Sequence, residues 1–305
     1  MQKEVGFIGL GAMGLPMLEN LAKNETLKIY AFDASDKPFA QLQQHEAWNT
    51  RLFRAGSFSD FGTCDTFILM LPNSQITSSV VLGNNQQAGL AQFLPKSSLI
   101  IDMGSSDPIE TIRLAAELEK HGITLVDAPV SGAVAKARTG DLTIMVGTDE
   151  AGLKAIEPLL SLVGSSLIPT GKLGAAHAMK ALNNYVYAAG LLAVCEAVSI
   201  AQKMGLDTDR FAEILNTSSG RNVASETKLV PFILKENYTA GFSLRLQAKD
   251  LAIADRLCKE NGMQARQLAL CSDLWANAAL SMPEADNTAI HQYIRSPAKR
   301  SQLSS

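Results

Sequence analysis

A glycine-rich turn near the start of the chain restricts its possible folds more than any other feature. An apolar run at 5–8 passes into the pattern G-x-G-x-x-G, and a segment with helical spacing follows it. A second apolar run begins at Leu27 and ends in Asp33, about 20 residues after the glycines, in the order of a dinucleotide-binding βαβ unit. The residues of the predicted turn are Gly9, Leu10, Gly11, Ala12, Met13 and Gly14.

Each glycine of this turn has a separate physical reason. Gly9 permits the turn, Gly11 lets the backbone approach a pyrophosphate, and Gly14 lets the helix pack on the strand. The first turn of the helix would then offer unpaired N–H groups to the phosphates. Because glycines mark many tight turns, a plain βα turn in a flavodoxin-like domain is the alternative interpretation.

Asp33 bears on the choice between NAD and NADP. Its carboxylate would accept hydrogen bonds from the adenosine ribose of NAD and would repel the 2′-phosphate of NADP. Ala34 follows it in place of an arginine, so NAD is favoured, although Lys37 is close enough to keep NADP open. A carboxylate that only caps the chain after the strand is the structural alternative.

Four further apolar runs are separated by helical segments. They are continuously apolar, which predicts strands covered on both faces, as in a doubly wound, mostly parallel Rossmann sheet. The runs lie at 66–72, 98–105, 124–132 and 142–147. Ligands of such sheets lie beyond the carboxyl ends of the strands. We therefore expect a cluster near the nicotinamide of Leu71, Pro72, Ser105, Ser131 and Gly132, each of which could instead be turn punctuation.

The stretch 174–204 is rich in Ala, Leu and Met and lacks proline, which predicts one long helix. Lys180 and Asn184 lie near its start and are four residues apart, so an amine and an amide share one helical face.

The segments 246–260 and 264–280 also show helical spacing, and no strand-like alternation follows residue 171. The predicted organisation is therefore an α/β Rossmann domain at 1–165 and an all-α domain at 166–305, linked by the long helix. A frayed tail is expected at 296–305.

Composition argues against several classes of function. The 305 residues carry a net charge of −3, so nothing indicates a nucleic-acid or membrane-surface partner. No secretory leader pattern is found, which favours the cytoplasm, and the apolar stretch 185–201 has polar flanks typical of a buried helix. The four cysteines are scattered without C-x-x-C spacing, so reduced thiols and no metal site are expected.

Four motifs carry a resemblance to a known family. They are Gly9-Leu-Gly11-Ala-Met-Gly14-Leu-Pro-Met, Asp127-Ala-Pro-Val-Ser131-Gly132, Lys180-Ala-Leu-Asn183-Asn184 and Lys249-Asp250-Leu. In this order and spacing they resemble the β-hydroxyacid dehydrogenases, the family of 3-hydroxyisobutyrate dehydrogenase and tartronate semialdehyde reductase, distantly related to 6-phosphogluconate dehydrogenase. The resemblance covers nearly the whole chain, and the second and third motifs are the specific ones.

The resemblance implies NAD(P)-dependent interconversion of a small β-hydroxyacid and its semialdehyde or keto form by hydride transfer. Lys180 would be the catalytic acid/base, and Asn184 would hold the substrate hydroxyl. Ser131 and Gly132 would bind the substrate carboxylate, and Lys249 would lie near both substrate and nicotinamide.

On the cofactor side, the resemblance implies that Ser105 faces NAD(P), that Leu71 and Pro72 pass alongside it, and that Asp250 lies beside Lys249 there. Two positions depart from the family's pattern. Ala133 replaces the second glycine of Ser-Gly-Gly, and Ala176 replaces the last glycine of Gly-Ala-Gly. Both narrow the presumed carboxylate site, so the identity and stereochemistry of the substrate stay open.

The chemistry makes demands on Lys180. An unperturbed lysine is protonated at pH 7, so a basic lysine needs burial or a neighbouring cation such as Lys249. The alternative for Lys180 is a solvated lysine on the surface of the helix. The alternative for Lys249 and Asp250 is an ion pair on the protein surface. His177, one turn before Lys180, could be functional, but a packed or capping residue is the commoner role for a lone histidine.

Two other functions compete with the hydroxyacid dehydrogenase. One is an imine reductase on the same scaffold, although those enzymes tend to replace the lysine; the other is a dinucleotide-binding protein without turnover. The polar loop 217–222 would either close over the substrate or merely connect helices. The helical domain is so apolar that it is expected to bury surface against a partner subunit, which predicts a homodimer or homotetramer.

Overall fold

The computed structural model describes residues 2–84 and 86–296. The chain divides into two compact units, Met1–Lys180 and Ala181–Ser305. The predicted tail at 296–305 lies outside the described residues except for Ser296.

The first unit is built on a six-stranded parallel sheet with the order β3-β2-β1-β4-β5-β6. Its strands are β1 Lys3–Ile8, β2 Leu27–Phe32, β3 Leu52–Arg54, β4 Thr66–Leu69, β5 Leu99–Asp102 and β6 Thr124–Asp127. The chain runs outwards from β1 in one direction and then, after β3, in the other, which is the doubly wound arrangement that the sequence predicted. The connecting helices are α1 Gly14–Ala22, α2 Lys37–Leu42, α3 Ser74–Leu82 and α4 Pro108–Glu119, with single 3₁₀ turns at Phe58–Phe61 and Leu90–Gln92.

Both faces of this sheet are buried. Val5 and Phe7 of β1 pack in one apolar cluster with Met17 of α1, whereas Ile8 packs in another with Phe67 of β4. Because successive side chains of a strand point to opposite faces, a strand covered on both sides needs apolar residues at every position. This explains why the runs in the sequence are continuous rather than alternating.

A separate three-stranded sheet follows the main one and differs from the prediction. It contains β7 Val130–Ser131, β8 Leu142–Val146 and β9 Gly164–Pro169, with α5 Ala133–Thr139 and α6 Glu150–Leu160 between them. The apolar run at 142–147 therefore belongs to this sheet, where β8 pairs antiparallel with β7 and parallel with β9. The run at 124–132 breaks at Pro129, which has no N–H to continue a ladder.

The described residues of the second unit are helical, with no strand longer than an isolated bridge. Its helices are α7 Ala175–Lys203, which begins in the first unit, α8 Thr208–Thr217, a π-helix at Ser225–Ile233, α9 Leu244–Glu260, α10 Arg266–Ser281, a 3₁₀ turn at Asn287–Ala289 and α11 Ile290–Arg295. The predicted all-α class of this part is confirmed.

The long helix α7 supplies much of the core of the second unit. Ala188, Leu191, Cys195 and Val198 are buried there together with Trp275 of α10. Within residues 2–84 and 86–296, α7 alone has the length and hydropathy to cross a bilayer, a test that the core helix of a folded domain also passes. Packing inside the second unit accounts for the apolar composition of its buried face.

Candidate active site

The glycine turn between β1 and α1 has the geometry that its three glycines predicted. Gly9 has φ 101°, and a Cβ on it would lie 2.4 Å from the Met70 carbonyl oxygen. A Cβ on Gly14 would lie 1.9 Å from the Gly9 carbonyl oxygen, whereas a Cβ on Gly11 would meet no atom within 4 Å. Gly9 and Gly14 are therefore required by the fold, and Gly11 leaves open space at the start of α1, where dinucleotide-binding units bind the pyrophosphate.

Asp33 directly follows β2 and lies against this turn. Its Oδ2 accepts the backbone N–H of Leu10 at 2.6 Å, and its Oδ1 accepts the N–H of Ser35 at 2.7 Å. The bond from Ser35 is the local cap that the structural alternative predicted, and the bond from Leu10 links the carboxylate to the glycine turn. Asp33 thus lies where a ribose-binding acid lies in dinucleotide-binding units.

Arg54 is a cation near Asp33 that the sequence analysis missed. It ends β3 and pairs in register with Ala31 of β2, two residues before Asp33. Its guanidinium forms an ion pair with Asp36 and lies 4.4 Å from the centre of the Phe39 ring. Only the register between β2 and β3 brings it to this edge, so no spacing in the sequence could have revealed it.

The segments after β4 and β5 meet next to the glycine turn. A Cβ on Gly104 would lie 2.6 Å from the Leu71 carbonyl oxygen, and Met70 touches Gly9 as described above. The structure therefore brings Leu71 and the segment of Ser105 to the edge that holds the turn, and Pro72 follows Leu71. Their contact with the cofactor stays a prediction.

Ser131 and Gly132 lie where β7 ends and α5 begins. Gly132 has φ 137°, and Ala133 has φ 56°, a left-handed backbone conformation that favours glycine. The residue that departs from the family's Ser-Gly-Gly pattern therefore lies in a backbone conformation that glycine adopts more readily than alanine. The predicted carboxylate contacts of Ser131 and Gly132 stay a prediction.

Lys180 and Asn184 lie one turn apart on α7, as predicted. Lys180 is half-buried, and Asn184 is buried. The Asn184 side chain donates from Nδ2 to Asp250 Oδ2 on α9 at 2.5 Å, and its backbone carbonyl accepts Gln247 Nε2 at 3.1 Å. The amide is therefore held in one orientation by α9.

Lys249 and Asp250 form an ion pair whose Nζ–Oδ1 distance is 2.9 Å. Asp250 is only 1% exposed, which excludes a solvated surface pair. The same carboxylate thus joins Lys249 to Asn184, and its predicted contact with the cofactor stays a prediction. Gln247, which shares a face of α9 with Asp250, is a further partner that the sequence analysis missed.

The last two features to place are His177 and a possible metal site. His177 is buried, and its Nδ1 lies 2.8 Å from the Thr111 hydroxyl, so it is a packed residue rather than a solvent-facing one. No cluster of three or more His, Cys, Asp or Glu residues suited to a metal ion occurs among residues 2–84 and 86–296.

Within the predicted loop 217–222, Thr217 ends α8, and the residues after it form a turn that leads into the π-helix. Asn222 Oδ1 accepts the N–H groups of Ala224 and Ser225. This capping explains how the loop starts the next helix, and closure over a substrate stays a prediction.

Comparison with known proteins supplies the family. Residues 4–171 match the family model of the NAD-binding domain of 6-phosphogluconate dehydrogenase. Residues 174–294 match the NAD-binding domain of NADP-dependent 3-hydroxyisobutyrate dehydrogenase. The two models together span both units.

Individual relatives agree with these models. The chain is 34% identical to 2-(hydroxymethyl)glutarate dehydrogenase of Eubacterium barkeri, over 94% of this chain and 93% of the relative. It is 38% identical to mitochondrial 3-hydroxyisobutyrate dehydrogenase of Rattus norvegicus, over 82% and 74%. A solved 3-hydroxyisobutyrate dehydrogenase from Mycobacterium tuberculosis, with L-serine, has a TM-score of 0.84 at 26% identity and covers 97% of this chain and 100% of its own. The chain therefore belongs to the NAD(P)-dependent β-hydroxyacid dehydrogenase family.

Proposed function

We propose that this chain interconverts a small β-hydroxyacid and its semialdehyde, with Lys180 as the general acid/base. The observation that carries the proposal is the first part of α7, where a half-buried amine is followed one turn later by an amide whose orientation Asp250 fixes. Asn184 can hold the reacting oxygen without a change of charge. A positioned acid/base of this kind contributes about 10²- to 10⁴-fold to the rate.

The cofactor fits the glycine turn, where the space beside Gly11 and the first N–H groups of α1 would hold the pyrophosphate. NAD(P), when bound, accepts or supplies the hydride. In oxidation, Lys180 takes the proton of the substrate hydroxyl, so the alcohol loses a hydride and a proton and becomes an aldehyde. Ser131 and Gly132 are the proposed contacts of the carboxylate, and a contact of Lys249 with the substrate stays a prediction.

The substrate that we propose is a short acid with a hydroxymethyl group on the carbon next to its carboxylate. The support is that 3-hydroxyisobutyrate and 2-(hydroxymethyl)glutarate, named for two relatives, share this group. We also propose that NAD is preferred to NADP, because the Asp33 carboxylate lies beside the glycine turn and Arg54 is paired with Asp36.

An apolar face of α7 supports a homodimer or homotetramer. Val186 and Ile200 of α7 are 68% and 59% exposed, and Met204, directly after the helix, is 67% exposed. An open groove of about 290 Å³ that includes Val186 is lined by Tyr185, Val186, Ala189, Gly190, Ala193 and Gln267. Exposed apolar area of this kind is typical of an interface. Light scattering should give a multiple of 32.6 kDa, and a monomer would contradict this.

Other expectations from the sequence stay predictions. They are the cytoplasmic location and the division into functional domains at 165/166.

Turnover assays test the proposed reaction. Purified protein, NAD or NADP, and a panel of hydroxyacids, semialdehydes and cyclic imines should show NADH or NADPH absorbance changes with hydroxymethyl acids. The Lys180→Ala variant should lose about 10²- to 10⁴-fold in kcat and still bind NADH. Turnover of imines alone would support the imine reductase, and cofactor binding without any turnover would support the non-catalytic protein.

Asp33→Ala should reduce the preference for NAD over NADP, and an unchanged preference would contradict the assignment of Asp33 to the adenosine ribose.

A further inference from the structure

The Asp127 carboxylate is buried and holds the first turn of the helix that carries Lys180. Asp127 ends β6 and is 0% exposed. Its Oδ1 accepts the backbone N–H of Gly174 at 2.9 Å, and its Oδ2 accepts the N–H of His177 at 2.9 Å. The first N–H groups of a helix have no partner within the helix, and α7 has no acidic residue of its own in its first turn. Asp127 satisfies two of these groups from a strand 47 residues earlier in the chain.

The ring of His177 fixes the same turn from a second side. Its Nδ1 lies 2.8 Å from Thr111 Oγ1 on α4, and this hydroxyl donates to the Asp107 carbonyl. His177 Nε2 lies 3.9 Å from Asp102 Oδ2. The turn is therefore attached to β6 by its backbone and to α4 by a side chain.

The Asp127 carboxylate itself has little room to move. A Cβ on Gly147 would lie 1.8 Å from Asp127 Oδ1, and the Gly147 N–H donates to the Asp127 carbonyl oxygen at 2.8 Å. The residue after β8 thus packs directly on the carboxylate. A group confined in this way can set the rotation of a helix rather than follow it.

Lys180 lies three residues after His177, within the next turn of α7. A rotation of the first turn would swing the long lysine side chain, and a misplacement of about 1 Å at a reacting group can reduce the rate about 100-fold. The chain also continues from Asp127 through Pro129 to Ser131, the proposed carboxylate contact. The segment that begins at the end of β6 therefore contains both the proposed substrate contact, Ser131, and the carboxylate that holds the turn before Lys180.

We propose that Asp127 is a positioning residue for Lys180, acting through the Gly174 and His177 amides to fix the first turns of α7, up to Lys180; the proposal rests on the proposed role of Lys180. Asp127 does not take part in proton transfer. An ordinary helix cap would contribute to stability alone, whereas a positioning residue affects turnover only as long as the lysine is present.

A double-mutant cycle tests this difference. Asp127→Asn keeps the size of the side chain but can accept only one of the two N–H groups. We expect kcat to fall about 10- to 100-fold, with the Kd for NADH changed less than about 2-fold. In the Lys180→Ala background, measured in single turnovers with enzyme in excess, the same change should have less than about a 2-fold further effect. Asp149→Asn is the matched control, because Asp149 caps α6 through the Gly152 N–H and should leave kcat unchanged.

The outcomes are distinguishable. Wild-type kcat in Asp127→Asn, or an equal fractional loss with and without Lys180, would overturn the positioning role. Wild-type turnover in Lys180→Ala alone would instead overturn the proposed acid/base. If Asp127→Asn does not fold, as judged by circular dichroism and NADH binding, Gly147→Ala displaces the carboxylate without removing it. It should reproduce the loss that depends on Lys180, and a loss independent of Lys180 would count against the proposal.

Discussion

The glycine turn after β1 and the Lys180–Asn184 segment of α7 are built in opposite ways. In the turn, backbone atoms form the proposed cofactor site, and its shape depends on the lack of side chains at Gly9, Gly11 and Gly14. On α7, side chains form the proposed catalytic site, and carboxylates from distant elements hold them, Asp127 through the first turn and Asp250 through Asn184. The glycine turn should therefore be disrupted by substitutions that add side-chain atoms. The site on α7 should be disrupted by substitutions that remove the carboxylates that hold it.

The largest expected effect separates two glycines of the same turn. Gly14→Ala places a Cβ 1.9 Å from the Gly9 carbonyl oxygen, so the turn must open, and we expect a loss of about 3 kcal/mol or more in the free energy of unfolding. Gly11→Ala meets no protein atom, so the thermal midpoint should be unchanged while the Kd for NADH rises at least about 10-fold. Calorimetry and NADH titration measure the two quantities. Equal stability loss in both variants would contradict the distinction.

Low pH should destabilise the second unit through the buried imidazole of His291. Burial, with help from Arg295 and against the opposing effect of Glu236, lowers the pKa of His291 to about 4 from 6.5. The unfolded chain then binds the proton near pH 6.5 and the native chain only near pH 4, so His291 should destabilise the fold by about 3 kcal/mol in total as the pH falls through this window.

Replacement of the ring tests this directly. His291→Gln should remove this part of the pH dependence of the thermal midpoint, whereas His121→Gln, at an exposed position, should retain it. An identical pH dependence in wild type and His291→Gln would show that the ring is not responsible.

The loss of a partner on α9 should have an intermediate effect. Asp250→Asn removes the charge that joins Asn184 to Lys249, so we expect kcat/KM to fall about 10-fold while the protein stays folded. The control is Asp255→Asn on the same helix, where Asp255 pairs with Lys259 at 2.6 Å. Its kinetics should be those of the wild type. A higher Kd for NADH in Asp250→Asn would support the predicted contact of Asp250 with the cofactor. An equal loss of kcat/KM in Asp250→Asn and Asp255→Asn would argue against a specific role of Asp250.

The smallest effect concerns Ala133, a side chain placed on a glycine-like backbone. Ala133→Gly relieves a left-handed conformation at φ 56°, and we expect the protein to gain between 0 and about 1 kcal/mol in stability. Ala135→Gly on the same helix is the control, and it should lose about 1 kcal/mol, as glycine usually does inside a helix. Chemical denaturation measures both, and destabilisation by the same amount would show that Ala133 is not strained.

The sequence predicted the features that depend on near neighbours. The apolar runs and glycines located the main strands and the turn, and the predicted helix at 174–204 is observed at Ala175–Lys203. The short strand β3 and the strand β9 were not predicted, and the run at 142–147, predicted for the main sheet, lies in the separate one. Strands so short, or so exposed on one side as β9, carry little periodic signal.

By itself, the sequence determined the parallel α/β class, the dinucleotide turn and the placing of Lys180 and Asn184 on one face of a helix. These follow from spacings of three to four residues along a helix, from the spacing of glycines and from continuous apolar runs along strands, all of which a local stretch displays. Only the tertiary structure decided that Asp127 anchors α7, that Asp250 orients Asn184 and that Arg54 lies beside the end of β2. Those contacts join residues far apart in the chain, and their partners are set by the packing of whole elements rather than by any local pattern.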